Sequence, residues 1–165
     1  DKAISIAKKF NISYFKREKY FASSRCTNSE FWSNVASTTK SKYILFTHCT
    51  SPMISAKTYE KSIKSFFFNK KKFNSLNSVS DVKEFLFIKN RPLNFKLNKA
   101  PNSQNLPNVI KLNLAINILE TKYMKEKKTI IGSKPFFYKL DQIEGHDINT
   151  ENEFEFAKYL FKNSR

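Results

Sequence analysis

The run KYILF at residues 42–46 constrains the fold most, because it is continuously apolar after its lysine and has the length of a strand. Such runs are typical of strands that are covered on both faces. A Thr-Ser-Pro turn follows at residues 50–52, and Ser55 then stands where it can cap a helix. That helix would carry an apolar face made of Tyr59, Ile63, Phe66 and Phe67. The sequence therefore predicts a strand, a turn and a capped helix in succession.

Short apolar segments alternate with amphipathic ones along the rest of the chain. Further strands are predicted at ISYF (12–15), FNSLNSVSDV (73–82), EFLFI (84–88), VIKLNLAINIL (109–119), TIIG (129–132) and FFYKL (136–140). Further helices are predicted at 2–10, 27–38, 120–128 and from Thr150 onward. This alternation predicts one domain over residues 1–165, a three-layer α/β/α sandwich with a mainly parallel mixed sheet.

Two of the predicted helices begin with the spacing of a capping box, Thr27 with Glu30 and Thr150 with Glu153. Each is followed by apolar residues at helical spacing, which predicts a buried stripe. The first stripe is Phe31, Trp32, Val35 and Ala36, and the second is Phe154, Ala157, Leu160 and Phe161.

The formal net charge of +16 would suit a nucleic-acid or anionic membrane partner. The basic residues are scattered, however, and only NKKK (69–72) and KEKK (125–128) are dense runs. Abundant Lys, Asn, Ile, Phe and Ser are also what an AT-rich genome would encode. We therefore expect no membrane partner and favour biased composition over nucleic-acid binding, and a basic nucleic-acid-binding domain stays open as an alternative function. Two cysteines are too few for a disulfide framework, which predicts a cytoplasmic protein.

The segment THCTSPMIS (47–55) places a histidine beside a cysteine, a pair that could form a catalytic nucleophile or part of a zinc site. Adjacent residues on an extended segment point to opposite faces, so His48 and Cys49 would not bond to each other. Two cysteines and two histidines at these spacings match no zinc module. Because ligands of open α/β sheets bind beyond the carboxyl ends of the strands, the turn is predicted to border a binding pocket.

Two other segments are candidate ligand sites. Asp147 lies in the acidic stretch 141–155, where it is either a Mg²⁺ ligand at a strand end or a solvated carboxylate. The loop APNSQNLPN (100–108) offers amides and hydroxyls suited to a sugar-like ligand, but it also fits an ordinary surface loop. No glycine-rich phosphate loop occurs, since the chain has two glycines.

Four stretches, in order, resemble the acylneuraminate cytidylyltransferases, the CMP-sialic acid synthetases. They are FKREKYFASSRCTNSEFW (15–32), LFTHCTSPMIS (45–55), APNSQNLPNVIKLN (100–113) and IEGHDINTENEFEFAKYL (143–160). The resemblance implies a nucleotide-diphospho-sugar transferase-like fold. It also implies transfer of CMP from CTP to a nine-carbon 2-keto sugar acid in cell-surface glycan biosynthesis, with pyrophosphate released. Mg²⁺ would be the cofactor, and a homodimer is expected.

Carried over by position, the resemblance assigns nucleotide binding to Arg17, Thr27 and Asn28. It assigns binding of the sugar acid to a set on two loops, namely His48, Thr50, Ser51, Ser103 and Gln104. It assigns the metal to Asp147 and Asn149.

The chain also departs from the family pattern. Asn149 stands where the second metal-binding aspartate is expected, Ile54 replaces an arginine, and Ser24 replaces an aspartate. The first strand and the triphosphate loop are missing. We therefore expect residues 1–165 to be an inactive part of a longer enzyme, with a non-catalytic nucleotidyltransferase-like protein as the alternative.

Overall fold

A computed structural model describes residues 2–163. Its helices and strands, in chain order, are α1 (Lys2–Lys9), α2 (Asn28–Thr38), β1 (Tyr43–Phe46), α3 (Ala56–Asn69), β2 (Ser75–Val82), β3 (Phe87–Ile88), β4 (Arg91–Pro92), β5 (Val109–Glu120), α4 (Thr121–Lys127), β6 (Pro135–Lys139) and α5 (Glu151–Asn163). Single 3-10 turns lie at Tyr20–Ala22 and Ser103–Asn105. No helix in residues 2–163 is both long enough and apolar enough to span a membrane.

Four strands form one mixed sheet in the order β1-β5-β2-β6. Strand β5 runs antiparallel to β1 and β2, whereas β2 and β6 are parallel. Strands β1, β2 and β6 therefore all end at one side of the sheet, which we call the carboxyl end. The opposite side, where these three strands begin and β5 finishes, is the amino end. The predicted α/β architecture with a mixed sheet is confirmed.

The sheet is covered on both faces, because successive residues of a strand point to opposite sides. In β1, Tyr43 and Leu45 pack into a cluster with Phe66 of α3. Ile44 and Phe46 join a second cluster, which includes Ala36 of α2, Met124 of α4, Leu119 and Ile130. The two clusters account for the continuous apolar run that predicted β1.

The predicted helix starts are present. Thr27 and Glu30 form a complete capping box at α2, and the Ser55 hydroxyl accepts the backbone N–H of Thr58 at α3. At α5, Thr150 and Glu153 exchange hydrogen bonds in the same manner. Each cap satisfies backbone donors that the first helical turn leaves unpaired.

A line of buried amides and hydroxyls runs between β2 and β5. The Asn77 side chain donates to Asn117 Oδ1 and to the Ile130 carbonyl, both at 2.9 Å. Asn113 donates to Ser80 Oγ at 3.0 Å. The register shifts between Asn77 and Val79, and Leu114 adopts a left-handed φ of 57°. The buried side chains thus satisfy backbone groups that this bulge takes out of the ladder.

Several predicted elements are wrong. ISYF (12–15) is not a strand and is exposed, while TIIG (129–132) is a turn whose Ile130 is buried between helices rather than paired. Of EFLFI, only Phe87–Ile88 is a strand, in a separate hairpin with β4. The stripe predicted on α5 buries Ala157, but Phe154 and Phe161 remain about half exposed.

Candidate functional site

A cavity of about 700 Å³ opens at the carboxyl end of the sheet. Its walls are the last residues of β2, the first half of β5, the loop after β6 and the start of α5. The lining side chains with polar or charged groups are Ser80, Asp81, Glu84, Lys111, Asn113, Gln142, His146, Asp147, Asn149 and Glu153. This is the position at which open α/β sheets bind their ligands.

The cavity is acidic although the chain is strongly basic. Asp81, Glu84, Asp147 and Glu153 line it against one lysine, Lys111. Lys139, next to it, is paired with Asp81 at 2.9 Å. An anionic ligand would therefore need a cation to enter, since uncompensated like charges repel.

The loop between β6 and α5 is held by a carboxylate near its start, that of Asp141. Asp141 Oδ1 accepts the backbone N–H groups of Ile143 and Glu144, at 2.9 and 2.8 Å. Gly145 is buried beneath it, where an added Cβ would overlap Ser80 Oγ and come within 2.9 Å of the Asp141 carbonyl. Only glycine lets the loop lie this close to β2, which fixes the cavity wall.

Asp147 and Asn149 stand together above the cap of α5. Asn149 Nδ2 donates to Asp147 Oδ2 at 3.0 Å, and the Asn149 backbone N–H donates to Glu153 Oε2 at 2.8 Å. The hydrogen bond from the Asn149 backbone does most to lower the pKa of Glu153, and the hydrogen bond from the Thr150 side chain lowers it further. Glu153 is thus committed to the cap, and of these two carboxylates Asp147 is the one that takes no part in it.

These residues provide a small donor set for Mg²⁺. Asn149 uses its amide nitrogen on Asp147, so its Oδ1 keeps its lone pairs. No group of three His, Cys, Asp or Glu side chains in residues 2–163 could hold a metal. The set fits a Mg²⁺ ion that takes its other ligands from water and phosphate oxygens, as Mg²⁺ commonly does.

The Thr-Ser-Pro turn lies against this acidic loop. The Ile148 backbone N–H donates to the Thr50 carbonyl at 2.9 Å. Glu144 accepts the Ser55 backbone N–H at 3.0 Å and the Thr58 hydroxyl at 2.8 Å, so it also joins the loop to the start of α3. Two segments about one hundred residues apart are therefore in contact.

Within the turn, two buried polar atoms have no hydrogen-bond partner, His48 Nε2 and Ser51 Oγ. The His48 ring packs edge-on against Phe46 with centroids 5.1 Å apart, and Ser51 is 4% exposed. Cys49 is an exposed free cysteine. Unpaired buried polar groups are costly, and no protein group in residues 2–163 pairs with either atom.

The predicted nucleotide residues lie beside β1 rather than in the cavity. Arg17 stacks its guanidinium 4.8 Å from the centre of the Phe31 ring, and Phe31 in turn packs edge-on against Phe46. Thr27 and Asn28 form the capped start of α2. Arg17 and His48 are thus joined by two aromatic rings at the carboxyl end of β1.

Ser103 and Gln104 lie on an exposed 3-10 turn before β5, also at the carboxyl end. Lys83 holds this loop by donating to the Leu106 carbonyl at 3.2 Å and to Asn108 Oδ1 at 3.1 Å. Of all the residues assigned from the resemblance, only Asp147 and Asn149 line the large cavity.

Sequence reasoning missed Ser80, Asp81, Glu84 and His146 of the cavity wall. Asp81 follows six buried residues of β2, so the argument that selected Asp147 at a strand end would also have selected Asp81. His146 is held in place, with Nε2 3.1 Å from the Glu153 carbonyl and its ring against Phe156.

No protein-family model matches the sequence, and none of the curated proteins does. Solved structures do match. The bifunctional IspDF from Campylobacter jejuni superposes with a TM-score of 0.62 and 12% identity, covering 92% of this chain and 39% of that one. The 4-diphosphocytidyl-2C-methyl-D-erythritol synthase from Anaerococcus prevotii DSM 20548 gives a TM-score of 0.68 and 13% identity, covering 99% of this chain and 74% of that one.

At this identity the likeness shows the fold. The chain spans about two fifths of the length of the IspDF structure and about three quarters of the length of the synthase. Neither structure is a CMP-sialic acid synthetase, so the closer relationship suggested by the four sequence stretches stays a proposal.

Proposed function

We propose that the chain is part of a cytidylyltransferase that transfers CMP from CTP to the anomeric hydroxyl of a nine-carbon 2-keto sugar acid. The observation that carries the proposal is the hydrogen bond from Ile148 N–H to the Thr50 carbonyl. It joins the two most family-like segments at the end of the sheet where α/β folds bind ligands. The similar fold of a 4-diphosphocytidyl-2C-methyl-D-erythritol synthase supports cytidyl transfer.

In this reaction the acceptor hydroxyl attacks the α-phosphorus of CTP, a new P–O bond forms, and the bond to the bridging oxygen breaks. Pyrophosphate leaves, and the hydroxyl proton passes to a base. Catalysis then consists mainly of positioning and charge neutralisation. Mg²⁺ held by Asp147 and Asn149 would neutralise phosphate charge beside a cavity wall that otherwise repels it.

The remaining predicted residues have separate roles in this proposal. Arg17, Thr27 and Asn28 lie on the nucleotide side, next to β1. His48 and Ser51 offer their unpaired polar atoms to the acceptor, and Thr50 shapes the turn through its carbonyl. Ser103 and Gln104 contact the acceptor from the loop that Lys83 holds in place.

A second candidate is a protein of the same fold that binds nucleotide without turnover. It is favoured by Asn149, which provides no second negative charge for the metal. It is favoured too by the lack of a glycine-rich phosphate loop, since Gly132 and Gly145 both serve packing. This candidate predicts CTP binding without release of pyrophosphate.

The test is pyrophosphate release from CTP in the presence of Mg²⁺, measured on the 165-residue chain and on its complete reading frame. The acceptors are a panel of nine-carbon 2-keto sugar acids and a 2C-methyl-D-erythritol phosphate. We expect release with one sugar acid by the complete protein and none by the 165-residue chain. Release only with the erythritol phosphate would overturn the acceptor, and release with neither would favour the non-catalytic candidate.

A further inference from the structure

The amino end of the sheet carries a surface that the proposed function does not use. Three connections meet there: residues 39–42 before β1, 70–74 before β2, and 120–134 between β5 and β6. Together they hold ten lysines, all exposed, and two glutamates, Glu120 and Glu126. The lysines are Lys40, Lys42, Lys70, Lys71, Lys72, Lys122, Lys125, Lys127, Lys128 and Lys134. The fold thus collects at one place a positive charge that is dispersed in the sequence.

An aromatic pocket of about 230 Å³ lies within this surface. Tyr43, Phe66, Phe73 and Tyr123 form its walls, and Glu120 and Lys70 reach its rim. Lys70 Nζ stands 5.8 Å from the Tyr43 ring centre. The pocket has room for a planar ring, and flat aromatic walls are the surfaces on which nucleobases stack.

A second cavity of about 510 Å³ adjoins the aromatic pocket and shares Glu120 with it. Three lysines, Lys42, Lys122 and Lys125, line it together with Glu120 and Glu126, and Lys122 Nζ lies 3.9 Å from Glu126 Oε1. Thr121 also lines it, and its buried hydroxyl has no hydrogen-bond partner. A space lined by three lysines next to a ring-sized pocket has the layout of a phosphate site beside a base site.

We propose that the amino end of the sheet binds single-stranded nucleic acid. A base enters the pocket of Tyr43, Phe73 and Tyr123, and the Glu120 carboxylate accepts a hydrogen bond from its exocyclic amino group. The lysines of the adjoining cavity and of residues 70–72 follow the phosphates. Phe68, which is 88% exposed at the end of α3, supplies an open face for the next base.

Nucleic acid fits this surface better than an anionic membrane does. Membrane-binding faces insert projecting apolar side chains over a whole helix side. Here four rings are recessed in a pocket, and two of them carry hydroxyl groups. Phe67 beside it is 42% exposed, but four exposed lysines are also close to Phe68 in the chain: Lys64, Lys70, Lys71 and Lys72. The proposal is independent of the cytidylyltransferase function, because it concerns the other end of the sheet.

The test is fluorescence anisotropy of a labelled single strand of about 12 nucleotides, titrated with the 165-residue chain from about 50 to about 200 mM salt. We expect saturable binding that weakens steeply with salt. The triple variant Lys70→Glu, Lys71→Glu, Lys72→Glu should weaken binding about tenfold or more and reduce the steepness of the salt slope by about 2. Phe68→Ala should weaken binding several-fold with little change in slope.

The matched control is a triple variant on the β3–β4 hairpin side, Lys89→Glu, Lys96→Glu and Lys99→Glu, which makes the same change of net charge. These lysines are exposed and lie at the carboxyl end, so affinity should fall at most twofold or so. Circular dichroism checks that each variant is folded. Equal losses in both triple variants would show that only the net charge matters and would overturn the assigned surface.

Two other outcomes also overturn the proposal. One is the lack of saturable binding at protein concentrations up to about 100 μM. The other is preferential binding to mixed phosphatidylcholine and phosphatidylserine vesicles, lost in the Lys70–Lys72 variant, which would assign the surface to membranes. Competition by CMP at the same concentration as the strand would reassign it to mononucleotides, because a polymer engages many more of the lysines.

Discussion

The two ends of the sheet differ in charge, in structure and in the ligands they suit. At the carboxyl end, four carboxylates line a large cavity, and the surrounding loops are tied together by backbone hydrogen bonds. At the amino end, ten exposed lysines surround a small aromatic pocket. A phosphate ligand needs a cation at the first end and none at the second. The overall charge of +16 therefore describes neither site.

Each end also depends on one of the two glycines in the chain. Gly145 lets the loop before α5 lie against Ser80 at the carboxyl end, whereas Gly132 lies against Asn74 and Ser75 at the amino end. The Gly132 backbone N–H donates to Ser75 Oγ at 2.8 Å. Between the two glycines, the buried Asn and Ser side chains connect β2 to β5. Damage to either end can therefore be separated from damage to the shared core.

The largest effect on stability is expected from Asn77→Ala, which should destabilise the core that both ends of the sheet share. It leaves Asn117 Oδ1 and the Ile130 carbonyl without their donor in a buried site. We expect a loss of about 3 kcal/mol in the free energy of unfolding, measured with urea. The control Asn152→Ala, on the exposed side of α5, should change it by less than about 0.5 kcal/mol. Equal stability of the two variants would contradict the role of the buried amides.

The paired variants Gly132→Ala and Gly145→Ala should separate the ends. Each added methyl group overlaps a hydroxyl or amide oxygen of β2 or its approach, so each should cost about 1–3 kcal/mol of unfolding free energy. Gly145→Ala should also abolish stabilisation by Mg²⁺ and CTP but leave oligonucleotide binding unchanged. Gly132→Ala should do the reverse. Loss of both ligands in both variants would show that the two ends do not act independently.

His48→Ala tests the carboxyl end more narrowly. Because His48 Nε2 is buried without a protein partner, its removal should weaken acceptor binding by about tenfold, or about 1.4 kcal/mol, if a ligand pairs with it. Cys49→Ala, the adjacent control, should leave kcat/KM of the complete protein within about twofold, since Cys49 is exposed. Both variants should bind the oligonucleotide as the parent chain does. A larger loss from Cys49→Ala than from His48→Ala would revive the nucleophile hypothesis.

Asn149→Asp should increase the electrostatic contrast between the ends. A second carboxylate beside Asp147 adds about 1 kcal/mol of attraction for Mg²⁺ at this exposed position, which is about a fivefold lower half-saturating Mg²⁺ concentration. The measurement is the Mg²⁺ dependence of CTP stabilisation in a thermal melt. An unchanged Mg²⁺ requirement would place the ion elsewhere.

The smallest effect concerns pH. Hydrogen bonds, first from the Thr27 backbone and second from its side chain, lower the pKa of Glu30, and those from Asn149 and Thr150 lower the pKa of Glu153. Carboxylates with a lowered folded pKa stabilise the protein above their unfolded pKa, and this stability is lost as pH falls through the folded value. Both caps lie at the carboxyl end. Glu153→Gln should therefore flatten the fall in melting temperature below about pH 4.3.

Glu60→Ala is the control for a carboxylate outside the helix caps, because the exposed carboxylate of Glu60 pairs with Lys64. Hydrogen bonding and attraction by Lys64 also lower the pKa of Glu60. No helix cap depends on it, so its removal should leave helix α5 and ligand binding intact. An acid profile of Glu153→Gln as steep as that of the parent chain would contradict the capping account.

The sequence predicted those elements whose local signals agree with their tertiary setting. KYILF is buried on both faces, and Thr27, Ser55 and Thr150 cap helices as their spacing indicated. The strand predicted at TIIG is absent because Ile130 is buried by packing against α2 and α4. A residue that is buried without strand pairing gives the same apolar sequence pattern as a strand. The strand predicted at ISYF is absent because a short apolar run forms a strand only beside a partner strand, and residues 12–15 have none.

The sites were predictable in part. The positions of Asp147 and the Thr-Ser-Pro turn at the carboxyl end could be predicted because each follows a strand that the local pattern reveals. Asp81 and Ser80 were missed because the cavity forms only where β2 lies between β5 and β6. This order in the sheet differs from the order of the strands in the sequence. The lysines of the amino end were judged scattered because three separate connections supply them. Only the strand order brings those connections together.

The central claim is that the carboxyl end of the sheet holds Mg²⁺ and a cytidine nucleotide through Asp147. The direct test is a thermal melt of the chain with and without millimolar CTP and Mg²⁺, repeated with Asp147→Asn. We predict a rise in melting temperature of about 2–4 °C that requires both Mg²⁺ and Asp147, as expected for a ligand present at several times its Kd. No rise in the parent chain, or an equal rise in Asp147→Asn, would contradict the claim.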